Sequence, residues 1–142
     1  VEVKYELGEE KDFDGVKMRR IVALVAIASK DVSIGDVGGW VQGEANLSQV
    51  SDEAWVFGEA WVFGKARVFG KARVAQTRDL LVIGPIGSRN AHVTFASDYV
   101  ATGCFCGTFD QFAASVTKEH LGSVHATEYM AALEFARVRF PS

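Results

Sequence analysis

Ala54-Trp55-Val56-Phe57-Gly58-Glu59, Ala60-Trp61-Val62-Phe63-Gly64-Lys65, Ala66-Arg67-Val68-Phe69-Gly70-Lys71 and Ala72-Arg73-Val74 are successive copies of one six-residue unit. This repeat decides the fold. Within each unit the alanine and the valine are two residues apart, so they share one face of a short strand. The glycine and the charged residue after it suit a turn that needs positive φ. One strand and one turn per hexad make a three-sided coil, in which residues eighteen apart stack. Ala54 should then lie over Ala72, and Val56 over Val74. The spacing predicts a short left-handed β-helix with alanine and valine along its narrow axis. Hairpins repeating every six residues would leave strands of about three residues, shorter than sheets normally use.

The same step is visible earlier, from Gly39-Trp40-Val41 to Asn46-Leu47, and its phase slips between Leu47 and Ala54. Residues 39–76 are therefore read as the β-helix hexads, with Ser48 to Glu53 as a loop at one corner. About two coils result. That is fewer than the roughly three repeats a solenoid needs to stand alone, so the flanks must cap it. Trp55, Phe57, Trp61, Phe63 and Phe69 alternate with the inward set. Each is worth on the order of 2 kcal/mol when buried, so five left in water would be costly. The chain's own flanks, a subunit interface or a ligand platform could each cover them, and a mixture is expected. A homo-oligomer assembled on that face is the expectation.

Residues 1–38 read as an N-terminal β cap. Val3 to Leu7 and Val16 to Ala28 are its strands, with a turn at Asp12-Phe13-Asp14-Gly15, and the Gly38-Gly39 pair is expected to bend the chain into the coil. Residues 77–142 read as a C-terminal α+β module. Leu80 to Ile83 is a strand, Gly84 to Gly87 a turn, and His92–Ala96 with Tyr99–Thr102 a hairpin around Ser97-Asp98. Gly107 breaks the run. Thr108-Phe109-Asp110-Gln111 is a capping box that opens a helix to about His120, with Phe109, Phe112, Ala113 and Val116 on one face. Gly122 ends that helix, and a second covers roughly Ala126 to Val138 with Tyr129, Met130, Leu133 and Ala136 inward. The fold class is thus mainly β, a short β-helix between a β cap and an α+β module.

Composition narrows the function. With 49% hydrophobic and 23% charged residues the chain has the balance of a globular protein, which excludes wholesale disorder. A net charge of -3 argues against general nucleic-acid binding. The longest apolar run, Ile21 to Ala28, is too short to cross a bilayer and reads as a buried strand, and nothing ahead of it has a signal-peptide pattern. Cys104 and Cys106 are poor partners for each other across one intervening residue, which favours a reducing cytoplasm.

Three stretches together resemble the hexapeptide-repeat proteins of the YdcK-like kind, found in bacteria and phages. They are Tyr5-Glu6-Leu7 through Gly38-Gly39-Trp40-Val41 and Asn46-Leu47-Ser48, then the Ala-x-Val-Phe-Gly-Lys hexads, then Ile83 to Asn90 with Gly103 to Thr108. The resemblance implies the β-helix and leaves function open. In a phage setting it would allow a protein that sequesters a host immune signal, acting in the host cytoplasm.

Gly84-Pro85-Ile86-Gly87-Ser88-Arg89-Asn90 is the loop that carries most chemistry. Glycine lets the backbone approach a ligand, Ser88 and Asn90 can donate hydrogen bonds, and Arg89 can grip a phosphate through two N–H groups. Gly87, Ser88, Arg89 and Asn90 are thus the candidate ligand-binding residues, for an anion such as a nucleotide. The bland alternative is an ordinary turn. Lys65, Arg67, Lys71 and Arg73 could extend a basic surface, although such charges are commonly a solvated face. An acyltransferase would need a histidine at a cleft between coils, and the hexads hold none. His92, His120 and His125 all lie in the C-terminal module. No catalytic set, cofactor or metal is expected, since a lone C-x-C lacks structural zinc spacing. The reading is a non-enzymatic binding protein. A scaffold that meets a host or virion protein through its aromatic face comes second, and an acyltransferase third.

Overall fold

The computed structural model describes residues 3–49, 52–103 and 105–141. The chain is mainly β, with a pair of helices at its C-terminal end. It divides into two units, Val1–Asp79 and Leu80–Ser142. The division falls three residues beyond the boundary read from sequence, and the cap and the hexads form one unit.

In the first unit β1 (Tyr5–Phe13) and β2 (Val16–Ala23) form an antiparallel hairpin. The turn is Asp14-Gly15, with both residues at positive φ, the conformation that matches the twist of a two-residue hairpin. β1 thus runs further than expected and includes Asp12 and Phe13. The apolar run Ile21–Ala28 is not one strand. β2 ends at Ala23, Ile27 makes an isolated bridge to Val32, and a 3-10 turn covers Ala28–Lys30. The backbone demands explain the break, because Ala23 bonds to Gly35 and Asp36 rather than onward along a strand.

β3 (Val37–Val41) lies antiparallel to β2 and parallel to β5 (Trp61–Val62), in the sheet order β1-β2-β3-β5. β4 (Trp55–Val56) pairs in parallel with β6 (Arg73–Val74). A parallel bridge joins Leu47 to Val68. Hexads therefore pair in parallel with hexads three places further on. Val56 meets Val74 at a separation of 18, while Val41 meets Val62 and Leu47 meets Val68 at 21. The difference is the phase slip. Leu47 to Val56 spans nine residues instead of six, and only the two ladders that straddle this segment carry the three extra residues.

The inward set is buried as the repeat requires. Ala54, Ala60, Ala66 and Ala72 join Val56, Val62, Val68 and Val74 in the core. Gly38 and Gly39 are not a bend. They lie within β3, where a Cβ on Gly38 would come 2.6 Å from the Val56 carbonyl oxygen, and one on Gly39 2.7 Å from that of Ala60. They are small because neighbouring backbone passes over them.

The inserted segment is tied to the first strand. Lys4 is buried, and its Nζ donates to Asp52 Oδ1 at 2.6 Å and to the Ala54 carbonyl at 2.8 Å. Burial holds the Lys4 ammonium below its ordinary pKa, partly offset by the Asp52 carboxylate. Asp52 Oδ2 accepts from the Gly70 N–H at 2.9 Å, so the same carboxylate reaches a hexad eighteen residues on. Tyr5 exchanges bonds with the Gln49 amide, and its hydroxyl donates to the Leu47 carbonyl at 2.7 Å. Burial, with the Glu44 charge adding, raises the Tyr5 phenol above its usual value.

The second unit is an antiparallel sheet in the order β10-β9-β8-β7. Its strands are β7 (Leu81–Ile86), β8 (Ala91–Ala96), β9 (Tyr99–Thr102) and β10 (Phe105–Gly107). The turn expected at Gly84–Gly87 lies instead at residues 87–90. β7 continues through Gly84-Pro85 with an irregular register, and Pro85 is tolerated because β7 is an edge strand. α1 (Phe109–His120) starts at the expected capping box. Thr108 Oγ accepts from the Gln111 N–H and Gln111 Oε1 from the Thr108 N–H. α2 (Val124–Arg139) begins two residues early because the Ser123 hydroxyl caps it. Val93, Phe95 and Val100 of the sheet pack with Phe109, Phe112 and Val116 of α1 and with Tyr129, Leu133 and Ala136 of α2. Full burial of Leu133 alone is worth about 2–3 kcal/mol.

Candidate functional site

The turn between β7 and β8 is held from below by α2. Gly87 has φ 75°, and its N–H donates to Glu128 Oε1 at 3.0 Å. Its missing side chain is filled by the Tyr129 ring, which a Cβ there would overlap. Asn90, at φ 47°, closes the turn through its N–H to the Gly87 carbonyl at 3.3 Å. Gly87 and Asn90 thus shape the backbone, while Ser88 and Arg89 are lifted outward and exposed.

Ser88 and Arg89 stand at the edge of a cavity of about 370 Å³ within the second unit. Its walls are the turn, the β9–β10 connection at Thr102 and Gly103, the second half of α1, and Tyr129 of α2. Phe105, Phe112 and Val116 supply apolar surface, and Ser115, Glu119 and His120 supply polar groups. Such a mixture, at this volume, is ordinary for a small-molecule site. Of the four ligand-binding residues expected, the cavity includes Ser88 and Arg89. Gly87 and Asn90 are not among its lining.

His120 lies over the Tyr129 ring at 5.6 Å and beside His125 at 6.0 Å, and its Nε2 is 4.0 Å from Glu119 Oε2. His125 Nδ1 is buried without a hydrogen bond, 3.9 Å from the carboxylate oxygen that holds Gly87. Glu128 therefore lies between the turn and the histidine pair. The sequence reading missed His120, Glu119 and Tyr129 as site residues. A signal was present, because Phe112, Ser115, Val116, Glu119 and His120 share one helical face that begins apolar and turns polar. Tyr129 read as core, which it also is.

The five aromatic residues expected at an interface are placed differently. Trp55 is 1% exposed, so it offers no surface. Burying an indole is worth more than leaving it in water, and the chain folds over it. Phe57 is half-buried beneath the Arg73 guanidinium, 4.5 Å from its ring centre, and Phe69 is half-buried. Trp61 is half-buried against Phe13 of β1 at 4.4 Å, so the N-terminal hairpin covers part of this face. Phe63 alone of the five is largely open, at 46%. Lys65, Arg67, Lys71 and Arg73 are all exposed.

His92 is half-buried on β8 and is not among the cavity residues. Cys106 is a free, exposed thiol, and Cys104 lies outside the described residues. Among the described residues no three His, Cys, Asp or Glu side chains are grouped to hold a metal ion, and no helix is long and apolar enough to cross a membrane. Comparison of the chain with protein-family models, curated proteins and solved structures finds no match in any of the three.

Proposed function

We propose that the protein binds a small anionic ligand of the nucleotide kind in the cavity beside the 87–90 turn, without transforming it. The observation that carries this reading is Arg89, exposed at the edge of a cavity of about 370 Å³ that has both apolar and polar walls. Ser88 adds a hydroxyl on the same turn, and a guanidinium grips a phosphate in two places at once. The turn is pinned by Glu128 and Tyr129, so little ordering is required when a ligand arrives. A sequestering role towards a host nucleotide signal is compatible with the resemblance to bacterial and phage hexapeptide-repeat proteins, which by itself leaves function open.

Thermal unfolding with a nucleotide panel, cyclic mononucleotides included, tests this. A ligand at one hundred times its Kd should stabilise by about 2.7 kcal/mol. The stabilisation should vanish in Arg89→Ala. Absence of any stabilisation, or equal stabilisation of the variant, defeats the reading.

The hexads are inferred to wind as a two-coil left-handed β-helix, which the parallel pairing at separations of 18 and 21 supports. A homo-oligomer, or a scaffold with a protein partner, is inferred to use the aromatic surface around Trp61 and Phe63, which the exposure of Phe63 favours. Solution mass measured for the intact chain and for Phe63→Glu tests the oligomer, since an unchanged mass would exclude Phe63 from the contact.

A further inference from the structure

The charges around the cavity carry the reading further. Among the described residues Arg89 is the one lining side chain with a permanent positive charge. Glu119 faces the same space with a carboxylate, and Glu128 stands behind the turn with its Oε1 on the Gly87 N–H. His120 lies beside that carboxylate, its Nε2 4.0 Å from Glu119 Oε2. One negative charge on a ligand finds Arg89. A second finds the Glu119 carboxylate on the same cavity and, among the described lining residues, no second permanent cation.

Resting on the anion-binding reading above, we propose that the cavity selects singly charged anions over doubly charged ones, with Glu119 as the specificity-determining residue. The fitting chemistry is a phosphodiester monoanion joined to a flat ring with N–H donors. The Phe105 and Phe112 rings, 5.5 Å apart, offer such a ring an apolar wall. Glu119 and Ser115 offer acceptors for its N–H groups. A terminal phosphomonoester, close to doubly charged above neutral pH, meets repulsion that a diester avoids. Glu119 is largely exposed, so solvent moderates the effect without removing it.

Calorimetric titration of the full chain at pH 8 with adenosine 5′-monophosphate and with its phosphate methyl ester isolates the charge on one skeleton. The ester should bind more tightly by about three- to tenfold. Glu119→Gln should tighten the monophosphate and bring the ratio towards one. A monophosphate that binds as well as its ester, or a ratio that Glu119→Gln leaves unchanged, overturns the selectivity while the anion site stands. If neither nucleotide nor inorganic phosphate binds, the anion site itself is wrong and the selectivity falls with it. The comparison in the unaltered chain decides even if the variant fails to fold.

Discussion

Replacing Gly87 by alanine tests whether the turn under Arg89 is built on α2. Two costs add. The residue has φ 75°, where a side chain costs about 1–2 kcal/mol. The added methyl also falls on the Tyr129 ring, with Cε1 at 2.6 Å and the phenol hydroxyl closer still. Tyr129 is buried among Phe112, Leu133 and their neighbours and has little room to yield, so overpacking adds about 1–3 kcal/mol. The expected loss is therefore about 2–5 kcal/mol. Gly122→Ala is the matched control. Its φ is 79°, but a Cβ there meets nothing within 4 Å, so only the conformational cost of about 1–2 kcal/mol applies. The two α-helices lie in the second unit and all three tryptophans in the first, so helical ellipticity and indole fluorescence report the units separately. In a urea titration Gly87→Ala should lower the helical midpoint well below that of Gly122→Ala. Equal midpoints for the two variants would refute the proposed contact with Tyr129.

Gly39→Ala should cost the first unit about 1–3 kcal/mol by indole fluorescence, because the methyl would meet Val56 Cγ1 at 2.5 Å and the Ala60 oxygen at 2.7 Å. Gly43→Ala, in open space and extended backbone, should change little, and similar losses at both positions would contradict the close approach. The raised Tyr5 phenol predicts alkaline weakening. Below pH 10 both states hold the proton; above it the unfolded chain releases its proton first, so stability falls as pH rises. Lys4, held below its ordinary pKa, acts in the opposite sense up to about pH 10.5, which makes Tyr5→Phe the proper reference. Wild type should lose stability relative to Tyr5→Phe between pH 10 and 11, and parallel curves would exclude the phenol.

The hexads were legible because a repeat imposes the same environment at each position, so the inward alanines and valines could be assigned without knowing what surrounds them. The phase slip before Ala54 was legible for the same reason, and it reappears as three extra residues in two ladders. Trp55 was not. Alternation fixes which way a side chain leaves its strand and says nothing about what lies beyond, and Trp55 is buried. Gly38 and Gly39 misled because glycine serves bends and close approaches alike. At the site, Ser88 and Arg89 could be picked out from turn chemistry. His120, Glu119 and Tyr129 join them only through the docking of two helices on a sheet, at sequence separations no local pattern encodes.

The Lys4–Asp52 pair bears on how the repeat finds its alignment. Near-identical rungs can be matched one step early or late with almost the same apolar contacts, so the ladder alone leaves several alignments close in energy. The segment between Leu47 and Val56 is the aperiodic mark in that series. When Val56 sits on Val74, Asp52 reaches Gly70 with one oxygen and Lys4 with the other. In a slipped alignment it keeps only one of them; where Lys4 is the one lost, its buried ammonium without a counterion costs about 3–5 kcal/mol. On this reasoning the pair acts less as glue than as a checksum that rejects misaligned copies of the fold.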